Sequence, residues 1–437
     1  MSVPKFHLGW FQSSGFSVSG WTEPWSGWLG RDWQTPSYWA DMARALERAS
    51  FDCMVIEDSV FVPEDYGSSR DHYLRNALRA PKNDPVPLMA ILGQVTSHLG
   101  LIPTMSTSFY PPFLAARLLA TMDHLNGGRA GANLVTSTSD TAAQNFGLSQ
   151  HYDHAERYAM AEEFVQVLDQ LWASWEEDAV VADREAGVYV DPTKVHQIDF
   201  EGRYHRSRGP LNTARPPQGR PVISQAGGSP QGRDFAARTA DIMLGSAGSL
   251  EDMISLRKDM RERVRAAGRA EDALKLLFVI SVKVVESEAA AHELRARAGT
   301  KDESAVVRWL AVMSSLTGID FAQFPLDEPI GELSTNGQKG HLARLLRSRE
   351  EGKTLRELVQ QLTISQDIIG TPQQVARELG ELHEATEGDG FLLSTDNGAF
   401  RKHLFDVTEG LVPELQRLGL TRTGYSSTKL RENLMAF

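Results

Sequence analysis

The chain reads as an α/β protein of the (β/α)8 TIM-barrel class. Three observations predict this. Eight short apolar, β-branched segments recur along it, amphipathic helical patterns separate most of them, and four consecutive segments end in polar residues. Strands alternating with amphipathic helices make parallel βαβ units, and eight of them suit one closed barrel, whose ligands sit at the strands' carboxyl ends. A doubly wound open sheet is the alternative, but it carries a glycine-rich fingerprint after its first strand. Here Phe11 is followed by Gln-Ser-Ser-Gly and a tryptophan-rich loop.

Taken in order, the expected strands are Lys5–Phe11, Asp52–Glu57, Leu99–Met105, Gly128–Val135, Pro221–Gln225, Asp241–Gly245, Leu276–Val284 and Gly390–Ser394. Each is short and rich in β-branched or large apolar residues. Helices are expected over Ser37–Ala49, His154–Trp172, Gln231–Thr239, Leu250–Ala267 and Pro372–His383, where apolar residues recur at three- and four-residue spacing. Two stretches exceed a minimal barrel, an excursion over 175–220 and a longer insertion over 300–366. Connections of that length are usually functional, and both are expected to lie over the barrel mouth within a single domain spanning 1–437. The polar tail from Thr421 is expected to dock loosely or against a neighbouring subunit.

With 41% hydrophobic and 23% charged residues, the chain can bury a core and is not disordered. A net charge of −12 argues against nucleic acid. Cys53 is the only cysteine, which suits a reducing compartment. The start MSVPKFHLGWF lacks a signal-peptide pattern, and no apolar run is long enough to span a bilayer. A cytoplasmic protein without membrane attachment is therefore expected.

The chemistry is expected where strands end. The second ends in Glu57-Asp58-Ser59, the third in Thr104 to Ser108, the fourth in Asn133 to Thr138, and the fifth in Gln225-Ala-Gly-Gly228-Ser229. Any one of these polar ends suits a helix cap, but four together suggest a shared site. Ser229-Pro230 is a helix start preceded by glycines, which serves plain capping and phosphate binding equally well. His154 and Tyr158 lie four apart on one helix face and can donate hydrogen bonds to a phosphate or ring edge; a surface histidine and half-buried tyrosine is the plainer reading. No metal is expected, because no ligand spacing is present. Six of the nine tryptophans (Trp10, Trp21, Trp25, Trp28, Trp33, Trp39) crowd the first strand and its connection. Such a cluster either covers a ligand or packs on itself.

With GRAGANLVTSTSDTAAQNFG, HYDHAERY and AGGSPQGR in hand, the chain resembles the bacterial-luciferase-like flavin monooxygenases. It is most similar to the branch holding nitrilotriacetate, dibenzothiophene sulfone and long-chain alkane monooxygenases. The runs Leu171 to Pro210, Ser315 to Ile330 (SLTGIDFAQFPLDEPI) and Leu411 to Leu420 carry the likeness too, which spans Phe6 to about Tyr425. The resemblance implies a barrel with a lid after strand seven. It also implies a two-component enzyme that takes reduced FMN from a separate NAD(P)H-dependent flavin reductase and oxygenates a small molecule with O2 through a flavin peroxide. Carried over by position, Asp58 and Thr104 would border the flavin ring and Asn133 its polar edge. His154, Tyr158, Gly228 and Ser229 would hold the ribityl chain and phosphate. Phe11, Trp21, Trp25, Tyr110 and Thr138 are candidates for the substrate pocket, and no catalytic acid or base is assigned. A homodimer or homotetramer is expected.

Three departures from the branch stand out. Trp21-Thr22-Glu23-Pro24 replaces Trp-Arg-His-Pro, Ala132 replaces a tryptophan, and Thr138 stands where the alkane enzyme has histidine. They argue against alkane hydroxylation. The aromatic loop favours a small apolar, aromatic or sulfur-containing substrate, whereas Arg344, Arg347, Arg349 and Lys353 would suit an aminopolycarboxylate. The competing readings are a deazaflavin-dependent oxidoreductase of the same superfamily, a barrel glycosidase using Glu57, and a non-catalytic flavin binder.

Overall fold

The computed structural model describes residues 4–13, 15–18, 20–22, 26–298, 302–331, 333–338, 352–361, 366–394 and 400–437. Eight parallel strands close on themselves: β1 (His7–Gln12), β2 (Cys53–Ile56), β3 (Gly100–Ser106), β4 (Gly131–Val135), β5 (Val222–Gln225), β6 (Ile242–Gly245), β7 (Lys275–Val284) and β8 (Gly390–Ser394). β8 pairs with both β7 and β1, which completes the barrel. Every strand overlaps the segment expected from the sequence. A ninth strand, Gln366–Gly370, lies outside the ring on the far half of β7.

The helices follow the strands: α1 (Pro36–Arg48), α2 (Pro85–Val95), α3 (Pro112–Leu125), α4 (His154–Ala173), α5 (Pro230–Thr239), α6 (Leu250–Ala266), α7 (Pro372–Thr386) and α8 (Val412–Arg417). Five open on proline, which fits a first helical position because its missing N–H would have no intrahelical partner there. Thr371 and Gln374 form a reciprocal capping box at α7. The helices' apolar faces and the strands' outward faces share one large core that includes Trp10, Trp39, Phe164, Trp172 and Phe278.

Inside the barrel, alternation along each strand separates an apolar floor from a polar upper level. The floor is Cys53, Val55, Ile102, Val222, Ile242, Leu244, Leu277 and Leu392. Gly9 belongs to this level, because a Cβ there would come within 2.4 Å of Leu392.

Two expectations are corrected. The excursion over 175–220 does not lie over the mouth. It starts from the carboxyl end of α4, which returns the chain to the opposite end of the barrel. There Gln218 bonds Asp123 and the Ala130 carbonyl, and the His124 ring meets the Ala214 carbonyl at 3.2 Å. Between these points it passes along the side of α4, where Glu163 accepts from the backbone of Arg203, Tyr204 and His205. The tail is not loosely docked either. Leu430 and Leu434 are fully buried against the barrel floor. Arg431 ion-pairs with Asp241 at 2.8 Å, and Arg422 with Asp52 at 2.8 Å. An apolar pair four residues apart plugs the barrel's amino-terminal end.

The insertion between β7 and α7 contains helices Glu288–Ala298, Glu303–Thr317 and Leu355–Gln361. Its own core is built from Val306, Leu310, Met313, Phe321, Leu355 and Leu358. It rests on the β2–α2 connection: the Tyr73 hydroxyl donates to the Ala311 carbonyl (2.8 Å) and the Gly67 amide to the Asp320 carboxylate (2.8 Å). That contact places it at the carboxyl end of the strands.

Candidate active site at the carboxyl end of the barrel

Thr104, Asn133 and Ser224 lie in register on β3, β4 and β5. The Asn133 amide donates to the Thr104 hydroxyl oxygen (2.9 Å), and the Ser224 hydroxyl donates to the Asn133 carbonyl oxygen (3.3 Å). All three are buried. Thr104 accepts in this row, so its own proton remains for a ligand. The row is the polar level above the apolar floor, and Ser224 is the member the sequence reading missed. Alternation from Val222 would have found it.

A second cluster forms where β5 leads into α5. Ser229 caps α5, its hydroxyl accepting from the Gly232 amide at 3.1 Å, so the capping role is realised. Gln225 holds the turn by accepting from the Gly227 amide at 2.7 Å. The Tyr158 hydroxyl enters between Gly227 and Gly232; a Cβ on either glycine would sit 2.6 or 2.7 Å from it. Around Gly228 the space is open. Burial pushes the Tyr158 phenol up, while hydrogen bonds with Ser229 and Gln225, the Arg157 charge and a hydrogen bond with Thr136 pull it back. His154 stands 5.1 Å from the Tyr158 ring. Both residues are buried, which replaces the plainer expectation of a surface histidine.

The β3 and β4 ends are fastened together by Ser137 to Ser106 (2.9 Å) and Ser108 to the Thr136 carbonyl (2.8 Å). Ser137 holds φ at 53°, a left-handed conformation unfavourable for a residue with a side chain. His151 braces this loop. Its Nδ1 accepts from the Tyr152 amide (2.9 Å) and its Nε2 lies 3.1 Å from the Thr136 carbonyl. The neutral ring protonated on Nε2 satisfies both contacts. Burial, followed by the Arg157 charge, lowers its pKa to about 4. Beside it Phe109 stacks on Phe146 with ring centroids 4.5 Å apart.

Two adjacent carboxylates close the β2 end. Glu57 meets Arg79 at 3.0 Å and Lys82 at 2.9 Å. Burial pushes its carboxyl up, but the two cations together outweigh burial and hold it below the usual range. Asp58 is half-buried, and burial raises its pKa to about 7, with Lys82 opposing. Gly15 passes so close to the Glu57 carbonyl that a Cβ would sit 2.3 Å away, at φ +65°, so only glycine fits there.

The remaining candidates separate. Phe11 is partly buried against the barrel floor. Tyr110 and Thr138 are half-buried at the mouth, and burial pushes the Tyr110 phenol up to about 12. Trp21 is 45% exposed, and Trp25 lies outside the described residues. Of the other loop aromatics, Trp33 and Trp39 pack with Phe16, so the loop is in part a self-packed unit. Among the described residues no group of side chains could hold a metal ion, and no helix is long and apolar enough to cross a membrane.

A family profile described as luciferase-like monooxygenase matches residues 6–386. The chain is 37% identical over 414 residues to a dibenzothiophene-sulfone monooxygenase of Rhodococcus erythropolis, covering 92% of this chain and 90% of the relative. It is 36% identical over 444 residues to nitrilotriacetate monooxygenase component A of Aminobacter aminovorans, covering 98% and 96%. Among solved structures, a riboflavin lyase crystallised with modified FMN and riboflavin is similar at a TM-score of 0.89, with 31% identity and coverage of 99% and 96%.

Proposed function

The chain belongs to the luciferase-like monooxygenase family and is a monooxygenase, and from that premise we propose that it is the oxygenating component of a two-component FMN system. Its reduced FMN would come from a separate NAD(P)H-dependent reductase. Its substrate would be a small apolar, aromatic or sulfur-containing compound. One observation carries this reading: an anion-type corner and a polar row share one barrel mouth. Tyr158, Gly227, Gly228 and Ser229 supply hydroxyls and a glycine opening beside a helix start, the chemistry a phosphate requires. Thr104, Asn133 and Ser224 supply donors and acceptors for the polar edge of a flavin ring. Reduced FMN, when bound, supplies the electrons that activate O2. The protein's own residues bind, orient and exclude water. His154, Tyr158, Gly228 and Ser229 take the phosphate end, while Asp58, Thr104 and Asn133 border the ring. The insertion serves as a lid.

An apolar substrate is supported by what the mouth offers. The Arg79 and Lys82 charges are already taken by Glu57, while the Phe109–Phe146 stack faces the same end. A second copy of the chain would cover α2, which carries no charged residue and leaves Ile91 43% exposed, and α3, which exposes Phe113 and Leu114. A helix apolar on every side is normally covered. The work would take place in the cytoplasm, where reductase and reduced nicotinamide are found together. Anaerobic titration with reduced FMN, followed by oxygen and a panel of aromatic sulfones, sulfides, alkanes and aminopolycarboxylates, tests the proposal. Absence of reduced-FMN binding overturns it, and turnover confined to aminopolycarboxylates overturns the substrate half.

A further inference from the structure

Arg157 is fully buried in the first turn of α4. Its Nη1 donates to the Tyr152 carbonyl at 2.7 Å, and its Nη2 to the Asn336 carbonyl at 2.9 Å, 179 residues away. Among the described residues its buried Nε has no acceptor. Among the described residues no carboxylate forms an ion pair with it; Asp140 and Asp153 act only at longer range. Among the described residues the guanidinium is thus held by two carbonyls without a counter-ion, an unusual state for a buried charge. The acceptor at Asn336 belongs to the insertion. There Thr335 bonds the Thr317 carbonyl, the Gly337 amide donates to the Thr335 hydroxyl (2.7 Å), and the Gln338 amide donates to the Leu316 carbonyl (3.0 Å). A continuous chain of bonds thus runs from the insertion's helix Glu303–Thr317 to the helix that carries His154 and Tyr158.

We infer that Arg157 is a positioning residue that clasps the lid segment 333–338 to the cofactor helix, so that lid closure and flavin retention are one coupled event. The inference rests on the flavin reading above. Closing the lid takes the guanidinium out of water with no carboxylate among the described residues paired to it. A phosphate bound at the adjacent His154–Tyr158–Ser229 corner supplies the missing negative charge, so the closed lid is favoured when FMN is present. By linkage the closed lid tightens FMN in return. Arg157 does this through the segment it holds, by way of the Asn336 carbonyl.

The test is amide hydrogen exchange at 333–338 in the full chain, with and without FMN, for the wild type, Arg157→Met and Arg157→Lys, alongside FMN affinity and thermal melting. In the wild type FMN slows exchange at 333–338, by roughly tenfold for a coupling of ordinary size. In Arg157→Met exchange is fast with or without FMN, and FMN affinity falls by a similar factor. In Arg157→Lys, which keeps the charge but loses the two-pronged reach, the response to FMN is reduced. Thr335→Val, which loosens the clasp from the lid side while leaving Arg157 intact, gives the same loss of protection, and it serves if Arg157→Met does not fold. Exchange at 333–338 in Arg157→Met equal to wild type overturns the clasp. FMN that binds the wild type yet leaves that segment unchanged overturns the coupling. Failure of the wild type to bind FMN at all refutes the flavin reading instead, and the ligand-free comparison of wild type and Arg157→Met still decides the clasp.

Discussion

Replacing Ser229 separates two roles that share one hydroxyl. The side chain caps α5 through the Gly232 amide, and in the proposed complex it also donates to the FMN phosphate. Removing a Ser cap by alanine costs about 1 kcal/mol of stability, whereas glycine at the same position costs only a few tenths. Losing a hydrogen bond to a charged group costs about 1.5–3 kcal/mol of binding, or roughly 10- to 100-fold in Kd. Ser229→Ala is therefore expected to lose both stability and affinity, and Ser229→Gly chiefly affinity. Ser229→Asp is the decisive variant. Aspartate caps as well as serine, yet its carboxylate would face the phosphate, so the fold should survive while reduced-FMN binding is abolished. The assays are thermal melting and anaerobic titration with reduced FMN on the same preparations. A Ser229→Asp variant that binds as tightly as wild type would mean that no anion approaches this corner. A Ser229→Ala variant with lower melting temperature and unchanged affinity would leave Ser229 as a cap alone.

Two further outcomes follow from the geometry. His151 is neutral in the fold with a pKa near 4, against 6.5 when unfolded. The unfolded chain therefore binds the proton first, so stability is present above the unfolded value and is lost as pH falls from about 6.5 through 4. The shift corresponds to about 3 kcal/mol at most; in urea melts His151→Asn should flatten this acid limb, and an unchanged limb would refute the assignment. Ile91→Glu combined with Leu114→Glu places charge on the uncovered α2 and α3 faces. Melting should move little, since both side chains are exposed, while sedimentation should show dissociation to monomers; an unaltered assembly would rule that face out as the contact.

The barrel was legible because its signal is periodic. Each strand is short and rich in β-branched or large apolar residues, and the proline-started helices between them carry their own punctuation, as at Ser229-Pro230 and Thr371-Pro372. The polar row was partly legible for the same reason: Thr104 and Asn133 sit at strand ends, while Ser224 was missed because VISQ reads as a plain core strand unless its alternation is followed. Other features depend on tertiary context. Whether the 175–220 excursion covers the mouth depends on the direction of α4, which returns the chain to the far end. In the tail, only Leu430 and Leu434 betray the plug, and an apolar pair in a polar stretch is a weak signal. Arg157 looks like any charged residue in HYDHAERY. One of its two acceptors is the Asn336 carbonyl in the insertion, far along the chain, a contact no local pattern encodes. Arg344, Arg347 and Arg349 lie outside the described residues.

Glu57 and Asp58 show how far a strand end constrains the chemistry. Neighbours on an extended chain point in opposite directions, so two identical functional groups meet different surroundings. Glu57 turns towards Arg79 and Lys82 and stays ionised with its oxygens occupied. A carboxylate so held cannot donate a proton to a leaving group, and adjacent residues cannot flank a scissile bond from both sides, which removes the glycosidase reading. Asp58 lacks such a clamp; burial brings its ionisation to about 7, while the nearby Tyr110 phenol, pushed up to about 12, keeps its proton. At neutral pH the β2–β3 rim therefore contains a spent carboxylate, a protonated phenol and one carboxyl balanced between its two forms. That distribution suits a site whose electrons come from a bound cofactor and whose protein groups have only position and protons to supply.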